Sequence, residues 1–334
     1  MQLERVLICG SLGFSSLECI AMFSGIAEII FLDCSSRQEL LMALQSGKEY
    51  DGICGIVRHW NAASITGPFD EEFIESLPRS VKYISSMNSG YDMIDIQACK
   101  RRDILVSNTP GVGDDATATV ALYLIISTLR RLSEGERSVH SGLWRPPNIT
   151  HNAHDLTGRT LAIIGLGGIG MRLAELAHAF PMRVLYHNRH RAARAPKYCE
   201  FFDAAHIDEM LAMADVLSIH VPLDDHTEGL IDEKMIRKLK TGAVVINTSR
   251  GRVIDEAAMI RALEDGHLSA VGLDVYPDEP KVNPRLLDFS NATLLPHLGG
   301  VSAETQMQQE SQALSNLKEF LSTGTARDLL PELR

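Results

Sequence analysis

Three short polar clusters in this sequence each follow an apolar run of strand-like composition. Ala243–Asn247 delivers Thr248-Ser249-Arg250-Gly251. The run 269–275 carries Asp274 near its end and delivers Tyr276-Pro277-Asp278-Glu279-Pro280, and the run ending at Leu295 delivers Pro296-His297-Leu298-Gly299-Gly300. In open α/β sheets ligands bind beyond the carboxyl ends of the strands, so these clusters are the first places to look for chemistry. An arginine offers the bidentate fork that matches a carboxylate, which a lysine does less well. A histidine is the natural acid and base near neutral pH, and a neighbouring carboxylate fixes its tautomer and favours its charged form. Arg250, Glu279 and His297 are therefore candidates for reducing a 2-keto acid. That reaction needs a fixed cation for the substrate carboxylate and carbonyl, a proton donor for the developing alkoxide, and a hydride from a nicotinamide. Singly, each residue has a blander reading as a helix cap, a solvated turn or a structural histidine. The ordered set points to chemistry.

A second kind of site lies upstream. Gly165-Leu166-Gly167-Gly168-Ile169-Gly170 matches G-x-G-x-x-G, with a strand-like run at 161–164 before it and an apolar-periodic helix (Ile169, Leu173, Leu176, Ala177, Phe180) after it. In such a turn the first glycine permits the tight bend and the second lets a pyrophosphate approach the backbone. The third allows close helix packing, while the helix N-terminus supplies N–H groups. Cofactor choice is set at the end of the next strand, where a carboxylate would hold the ribose 2′-hydroxyl of NAD and repel a 2′-phosphate. Here Arg183–His187 leads into Asn188-Arg189-His190-Arg191. The substitution predicts a preference for NADP, with Arg189 facing the 2′-phosphate and Asn188 hydrogen-bonding nearby. NAD stays possible, the basic residues then being a solvated loop.

Both sites need strands to carry them. Up to about residue 112, apolar runs at 6–9, 28–32, 52–57, 81–85 and 104–106 read as strands, with helices at 36–45 and 70–77 between them. That alternation argues for a parallel sheet covered on both faces. Asn108-Thr109-Pro110-Gly111 marks a break, after which Asp114 and Asp115 open a run, 116–136, that reads as one long connecting helix. Beyond a loop containing Pro146-Pro147-Asn148, strands are expected at Thr160–Ile164, Arg183–His187, 216–220, Ala243–Asn247, 269–275 and 292–295. Asp232 starts a helix stopping near Gly242, and Asp255 starts one stopping at Gly266. Ser302 caps a last amphipathic helix carrying Met307, Leu314, Leu317 and Leu321. The fold class is α/β, with two doubly wound parallel-sheet domains.

Composition narrows the partners. The 334 residues exceed one ordinary core and suit two domains. A net charge of -11 argues against a phosphate-backbone surface, so no nucleic acid is expected. The longest apolar run, 120–126, falls far short of the roughly 20 residues of a membrane span. No basic leader precedes the first strand, so no secretory signal is expected. The six cysteines are scattered without zinc-ligand spacing, which predicts reduced thiols, no metal and a cytoplasmic setting.

The chain resembles the D-isomer-specific 2-hydroxyacid dehydrogenase family. The resemblance is carried by Ser89-Gly90-Tyr91-Asp92 with Ile94-Asp95, Asn108-Thr109-Pro110-Gly111, the glycine turn and Asn247-Thr248-Ser249-Arg250-Gly251. Gly272-Leu273-Asp274-Val275-Tyr276 through Glu279-Pro280, and Pro296-His297, complete it. It implies a Rossmann cofactor domain at 114–303 inserted in a flavodoxin-like substrate domain formed by 1–113 and 304–334. It implies that Arg250, Glu279 and His297 are the catalytic residues and that Ser89 and Gly90, with Arg250 and His297, hold the substrate. Asp274 would lie near the nicotinamide carboxamide. Thr117, His220, Pro222, Thr227, Thr248 and Ser249 would fall in the cofactor cleft, together with Arg250, His297, Gly299 and Gly300. The implied activity is reduction of glyoxylate, hydroxypyruvate or a bulkier 2-keto acid to the D-2-hydroxy acid, and the reverse oxidation. A homodimer formed through the cofactor domain and the helix near 116–136 is also implied. Asn188 places the chain beside the glyoxylate and hydroxypyruvate reductases, and Glu279 argues against formate dehydrogenases, which carry glutamine there. Carboxyl-terminal-binding corepressors share the fold and the catalytic residues but act as nucleotide-sensing adaptors, so an adaptor is the alternative function. The loop Arg58-His59-Trp60-Asn61 is the expected side-chain pocket, in which Trp60 either stacks on an aromatic substrate or packs in the core.

Overall fold

A computed structural model describes residues 3–147 and 149–334, so Asn148 of the expected loop lies outside the described residues. The chain divides into two compact units, Met1–Gly113 with Ser302–Arg334, and Asp114–Val301. No helix among the described residues is long and apolar enough to cross a membrane.

The first unit is built on parallel strands β1 (Glu4–Cys9), β2 (Ala27–Phe31), β3 (Ile53–Arg58), β4 (Tyr83–Ser86) and β5 (Leu105–Ser107), in the order β2-β1-β3-β4-β5. The order reverses at β1, which makes the gap between the loops leaving β1 and β3 the topological switch point of this sheet. Alternation along β1 sends Val6 and Ile8 to one face and Leu7 and Cys9 to the other. The helix Ala303–Thr323 covers the first of these faces with Leu314 and Leu317. Ser302 caps it as expected, its side chain accepting from the Thr305 N–H. Two details let that helix close. Gly55 of β3 leaves room where a Cβ would lie 2.8 Å from Leu317, and the Tyr83 ring stacks on Phe320 at 4.4 Å.

Glu310, on the same helix, is 1% exposed. Its carboxylate accepts the backbone N–H groups of Gly13 at 2.7 Å, Phe14 at 3.0 Å and Ser15 at 2.8 Å, in the loop that leaves β1. His59, just after β3, brings Nε2 to 3.8 Å from the same carboxylate. Burial works against a charge on His59 and lowers its pKa, although Glu310 pulls the other way. Trp60 is 45% exposed and so does not pack in the core.

The second unit carries β6 (Thr160–Ile164), β7 (Arg183–His187), β8 (Cys199–Phe202), β9 (Val216–Ile219), β10 (Ala243–Asn247), β11 (Leu268–Leu273) and β12 (Ala292–Leu294). All are parallel, in the order β12-β11-β10-β9-β6-β7-β8, so the order reverses at β6. β8 was not expected: it is a four-residue edge strand paired only with β7, behind a basic stretch that carries no strand signal. The strand expected at 269–275 ends at Leu273, so Asp274 and Val275 belong to the following loop. The expected single helix over 116–136 is two helices, Asp114–Arg130 and Leu132–His140, separated by Arg131 in a left-handed conformation (φ 57). There the Arg131 guanidinium donates to the carbonyl of Ser269 at 2.8 Å, pinning the break against the sheet. Asp232 and Asp255 cap the helices Glu233–Lys238 and Glu256–Glu264, the first ending well before Gly242. The Asp114–Arg130 helix closes on β11, where Gly272 leaves no room for a Cβ beside Leu124 (2.9 Å).

Glu310 satisfies three consecutive donors with charge-assisted bonds, each worth about 1.5–3 kcal/mol when measured against losing the partner. Because the donors on Gly13 and Phe14 can be rehydrated, Glu310→Ala is expected to lower stability by about 2–4 kcal/mol in urea denaturation followed by circular dichroism. A loss below about 0.5 kcal/mol would show that the carboxylate does not hold the loop.

Candidate active site

The glycine turn leaves β6 at the switch point of the second sheet. Gly165 has φ 98, and a Cβ on it would lie 2.6 Å from the carbonyl oxygen of His220. A Cβ on Gly170 would run into the carbonyl of Gly165, which is the close helix-to-strand packing expected of the third glycine. Gly167, the N-cap of the helix Gly168–Ala179, would meet nothing within 4 Å. The turn is thus open at Gly167, in front of a helix N-terminus, while Gly168 lies against the Asp114 carboxylate; the opening at Gly167 fits the approach of a dinucleotide pyrophosphate. Leu166 is buried, and Ile169 lies on the first turn of the helix.

Asn188 follows β7, and its carboxamide oxygen accepts the Leu166 N–H at 2.6 Å. That bond braces the glycine turn. Arg189 next to it is exposed, whereas Arg191 lies 5.9 Å over the Phe201 ring. Across the turn, His220 sits between Ser218 and Thr248, with Nε2 2.8 Å from the Ser218 hydroxyl and Nδ1 3.5 Å from that of Thr248. Pro222 and Thr227 belong to one loop, closed by the Thr227 hydroxyl donating to the Pro222 carbonyl at 2.6 Å.

The catalytic candidates stand on the loops after β10, β11 and β12, three adjacent strands. Glu279 and His297 meet directly, with Oε2 2.7 Å from Nδ1. The other carboxylate oxygen of Glu279 accepts the Tyr276 N–H at 2.9 Å, which fixes the carboxylate plane. Burial of Glu279 pushes its pKa up, but the hydrogen bond and charge of His297, the Tyr276 N–H and the nearby Arg250 charge outweigh it and leave the pKa lowered. Nδ1 therefore faces an anion, and Nε2 is the nitrogen left for chemistry. Arg250 stands in a loop folded by Asn247, whose side chain donates to the Arg250 carbonyl at 2.8 Å and accepts the Ser249 N–H at 2.9 Å. Gly251 brings this loop onto the next one, since a Cβ there would overlap the Tyr276-Pro277 peptide.

Asp274 is fully buried. Its two carboxylate oxygens accept the N–H groups of Leu298 and Gly299, both at 2.7 Å, and its carbonyl accepts the His297 N–H at 2.8 Å. His297 itself is held at φ 57, the left-handed region that non-glycine residues rarely enter. The bond from the His297 N–H to the Asp274 carbonyl continues the strand pairing past β11 and carries the loop into that conformation. Burial raises the Asp274 pKa, only partly offset by the two N–H groups. Asp274 thus positions the His297 loop. Gly299 packs on Thr117 of the Asp114–Arg130 helix, where a Cβ would lie 3.1 Å from the threonine methyl, and Gly300 follows it. The loop-shaping roles of Asn247, Tyr276 and Asp274 escaped the sequence reading, because a residue that shapes a loop through backbone bonds leaves no spacing signal.

In the first unit, Ser89 and Gly90 lie just after β4. The Ser89 hydroxyl donates to the Thr109 carbonyl at 2.9 Å, and the Asn108 side chain donates to the Ser89 carbonyl at 2.7 Å. The Ser89-Gly90 and Asn108-Thr109 motifs are therefore one structure.

Residues 122–299 match the family model described as D-isomer specific 2-hydroxyacid dehydrogenase, NAD binding domain. The chain is 37% identical to 4-methyl-2-oxopentanoate reductase A of Aspergillus oryzae over 92% of each protein. The crystal structure of a glyoxylate reductase from Paecilomyes thermophila superposes with a TM-score of 0.94 at 37% identity, covering 100% of both chains. The NADPH-dependent glyoxylate/hydroxypyruvate reductase of Sinorhizobium meliloti, solved with NADP and malonate, gives a TM-score of 0.82 at 27% identity, covering 99% of this chain and 98% of that one.

His220 supplies a pH test of the cleft. Burial pushes its pKa down to about 4 from the usual 6.5, so the folded protein keeps the ring neutral. Well above pH 6.5 neither state binds the proton, and its effect on stability vanishes. As pH falls from about 6.5 towards 4 the unfolded chain takes up a proton that the folded one refuses, and stability declines across that window. Urea denaturation from about pH 7.5 to about pH 4.5 is expected to show a shallower decline for His220→Gln than for the wild type; parallel curves would remove His220 as a contributor.

Proposed function

The chain belongs to the D-isomer specific 2-hydroxyacid dehydrogenases, and from that premise we propose how its residues reduce a 2-keto acid to the D-2-hydroxy acid, and run the reverse oxidation, with NAD(P)H. The observation that carries the reading is the 2.7 Å pair between Glu279 and His297, Glu279 standing on the loop that Gly251 brings against that of Arg250. The nicotinamide supplies the hydride when bound. Arg250 holds the substrate carboxylate and polarises the carbonyl through its guanidinium. His297 delivers a proton from Nε2 to the carbonyl oxygen, while Glu279 holds Nδ1 and fixes the orientation of the ring. In the oxidation the same Nε2 takes the proton back. Ser89 and Gly90 belong to the proposed substrate-binding set. Gly165 to Gly170 hold the pyrophosphate, and Thr117, His220, Pro222, Thr227, Thr248, Ser249, Asp274, Gly299 and Gly300 form or shape the rest of the cofactor wall.

We further propose that NADP is preferred over NAD. The reading is supported by an amide at Asn188, which does not repel a 2′-phosphate, and by the exposed guanidinium of Arg189 beside it. A homodimer is supported by an apolar surface on the second unit: Leu132, Val139, Leu143 and Trp144 are 47%, 56%, 66% and 80% exposed. A reducing, cytoplasmic setting fits six cysteines that are all free thiols.

His297→Ala and Arg250→Ala are each expected to lower kcat/KM by about two to three powers of ten, measured by nicotinamide absorbance with a 2-keto acid. Near-wild-type turnover in either variant would rule out the role given to that residue. For the cofactor, wild-type kcat/KM should be higher with NADPH than with NADH, and Arg189→Ala should lower the NADPH value by about tenfold while leaving NADH nearly unaltered. A wild-type preference for NADH would overturn the assignment.

A further inference from the structure

We propose that Asp114 sets the affinity for the cofactor: its carboxylate sits at the positive end of the helix that meets the pyrophosphate, and its charge weakens the binding of NADP and NAD alike. The proposal rests on the functional reading above and adds a residue to the same cofactor site.

The pattern G-x-G-x-x-G leaves its fourth position free, yet in this chain that position is a further glycine, Gly168. A contact within the second unit explains it. A Cβ on Gly168 would overlap Oδ2 of Asp114 and would lie 2.6 Å from its Cγ and 3.0 Å from its Oδ1. The carboxylate of the first residue of the Asp114–Arg130 helix therefore rests directly on the first residue of the Gly168–Ala179 helix, a packing that any side chain at 168 would prevent. Gly167, one residue earlier, is open. Consecutive Cα atoms are about 3.8 Å apart, so a pyrophosphate that approaches at Gly167 shares one helix terminus with the carboxylate.

Nothing in this part of the structure neutralises Asp114. Among the described residues it accepts no hydrogen bond and enters no ion pair, in contrast to Asp274 and Glu310, which each gather backbone N–H groups. Its neighbour Asp115 takes Arg172 Nε at 2.6 Å, and Arg172 Nη1 turns to Glu175 at 3.0 Å, so that cation is already engaged. His220, across the turn, stays neutral at physiological pH because burial pushes its pKa down to about 4. Asp114 is half-buried, and burial pushes its own pKa up with no hydrogen bond to offset it. What favours its charge is the positive potential of the helix terminus, the same potential a pyrophosphate uses. Two anions thus compete for one terminus. At separations of about 6–8 Å, in a medium between protein and water, such repulsion is worth about tenfold in affinity. The cofactor has to leave after each turnover, a step that limits many dehydrogenases, and a fixed charge beside the pyrophosphate promotes that exchange. Because the pyrophosphate is common to NADP and NAD, the effect is separate from the choice between them made beyond β7.

Asp114→Asn removes the charge and keeps the size, and the test is titration calorimetry of the full-length protein with NADPH, NADH and ADP-ribose. The variant is expected to bind each of the three about tenfold more tightly than the wild type, with the ratio of NADPH to NADH affinity within about twofold of the wild-type value. The gain should shrink to about threefold in about 1 M NaCl, where the Debye length falls to about 3 Å; a purely structural change would not respond in this way. Unchanged or weaker binding in the variant overturns the proposal and leaves the dehydrogenase reading intact. So does a gain confined to NADPH, which would put the charge beside the 2′-phosphate, or a gain that salt does not reduce. A wild type that binds none of the three ligands overturns both. Should Asp114→Asn lose its cooperative thermal transition, Asp114→Ser is read in the same way, tighter binding supporting the assignment and unchanged binding overturning it.

Discussion

The reactive histidine depends on a carboxylate that never needs to touch the substrate. Asp274 accepts the N–H groups of the two residues following His297, and this pair of bonds holds the loop where the imidazole can meet Glu279. A left-handed conformation at a non-glycine residue costs roughly 1–2 kcal/mol. Two charge-assisted bonds to a carboxylate are each worth about 1.5–3 kcal/mol against leaving the donors unmet, so the anchor outweighs the strain. The anchor has its own cost, visible in the raised pKa of Asp274, whose burial disfavours the charged form that makes the bonds. Strain at His297 and desolvation at Asp274 are thus two sides of one arrangement, and neither makes physical sense without the other.

The first unit uses the same device at larger scale. Glu310 gathers three successive N–H groups of the β1 loop, as Asp274 gathers two of the β12 loop. In both cases a buried carboxylate fixes an irregular segment at the carboxyl edge of a parallel sheet, Glu310 from a helix and Asp274 from the residue that directly follows β11. This answers a general difficulty of α/β proteins. Their ligand-binding loops lie beyond the last strand hydrogen bonds, so the sheet itself cannot hold them. An anion that accepts several consecutive amides substitutes for the missing ladder.

Much of this was legible in the sequence, and the legible part has a common cause. β6, β7 and β10 were readable to the residue, because central strands of a sheet buried on both faces are uninterrupted apolar runs bounded by polar or glycine residues. Arg250, Glu279 and His297 were readable because each stands at such a boundary. β8 was not, being a short edge strand with a mixed sequence, Cys-Glu-Phe-Phe. The break at Arg131 was not either, because the one glycine of that run, Gly135, lies four residues further on inside the second helix; a tertiary bond to Ser269 holds the break. The two anchoring carboxylates were invisible for the same reason. Asp274 was noticed for its position but not for its task, and Glu310 looked like an ordinary charge on an amphipathic helix.

The glycines sharpen the distinction between residues that react and residues that make room. Gly251 has no chemistry of its own, yet without it the Arg250 loop cannot lie on the Tyr276-Pro277 peptide, and Arg250 would stand away from Glu279. Gly10 does the same for the β1 and β3 loops, and Gly55 for the helix that carries Glu310. Each permits an approach that a charged or polar side chain then secures: Asn247 around Arg250, Asn61 across to Ser11, Glu310 onto Gly13 to Ser15. Close approach comes first in this logic, since a hydrogen bond of about 3 Å or less cannot pull together backbones that a methyl group holds apart. Specificity of position in this protein is therefore encoded as pairs, an absence of side chain at one position and a hydrogen-bonding side chain, donor or acceptor, beside it.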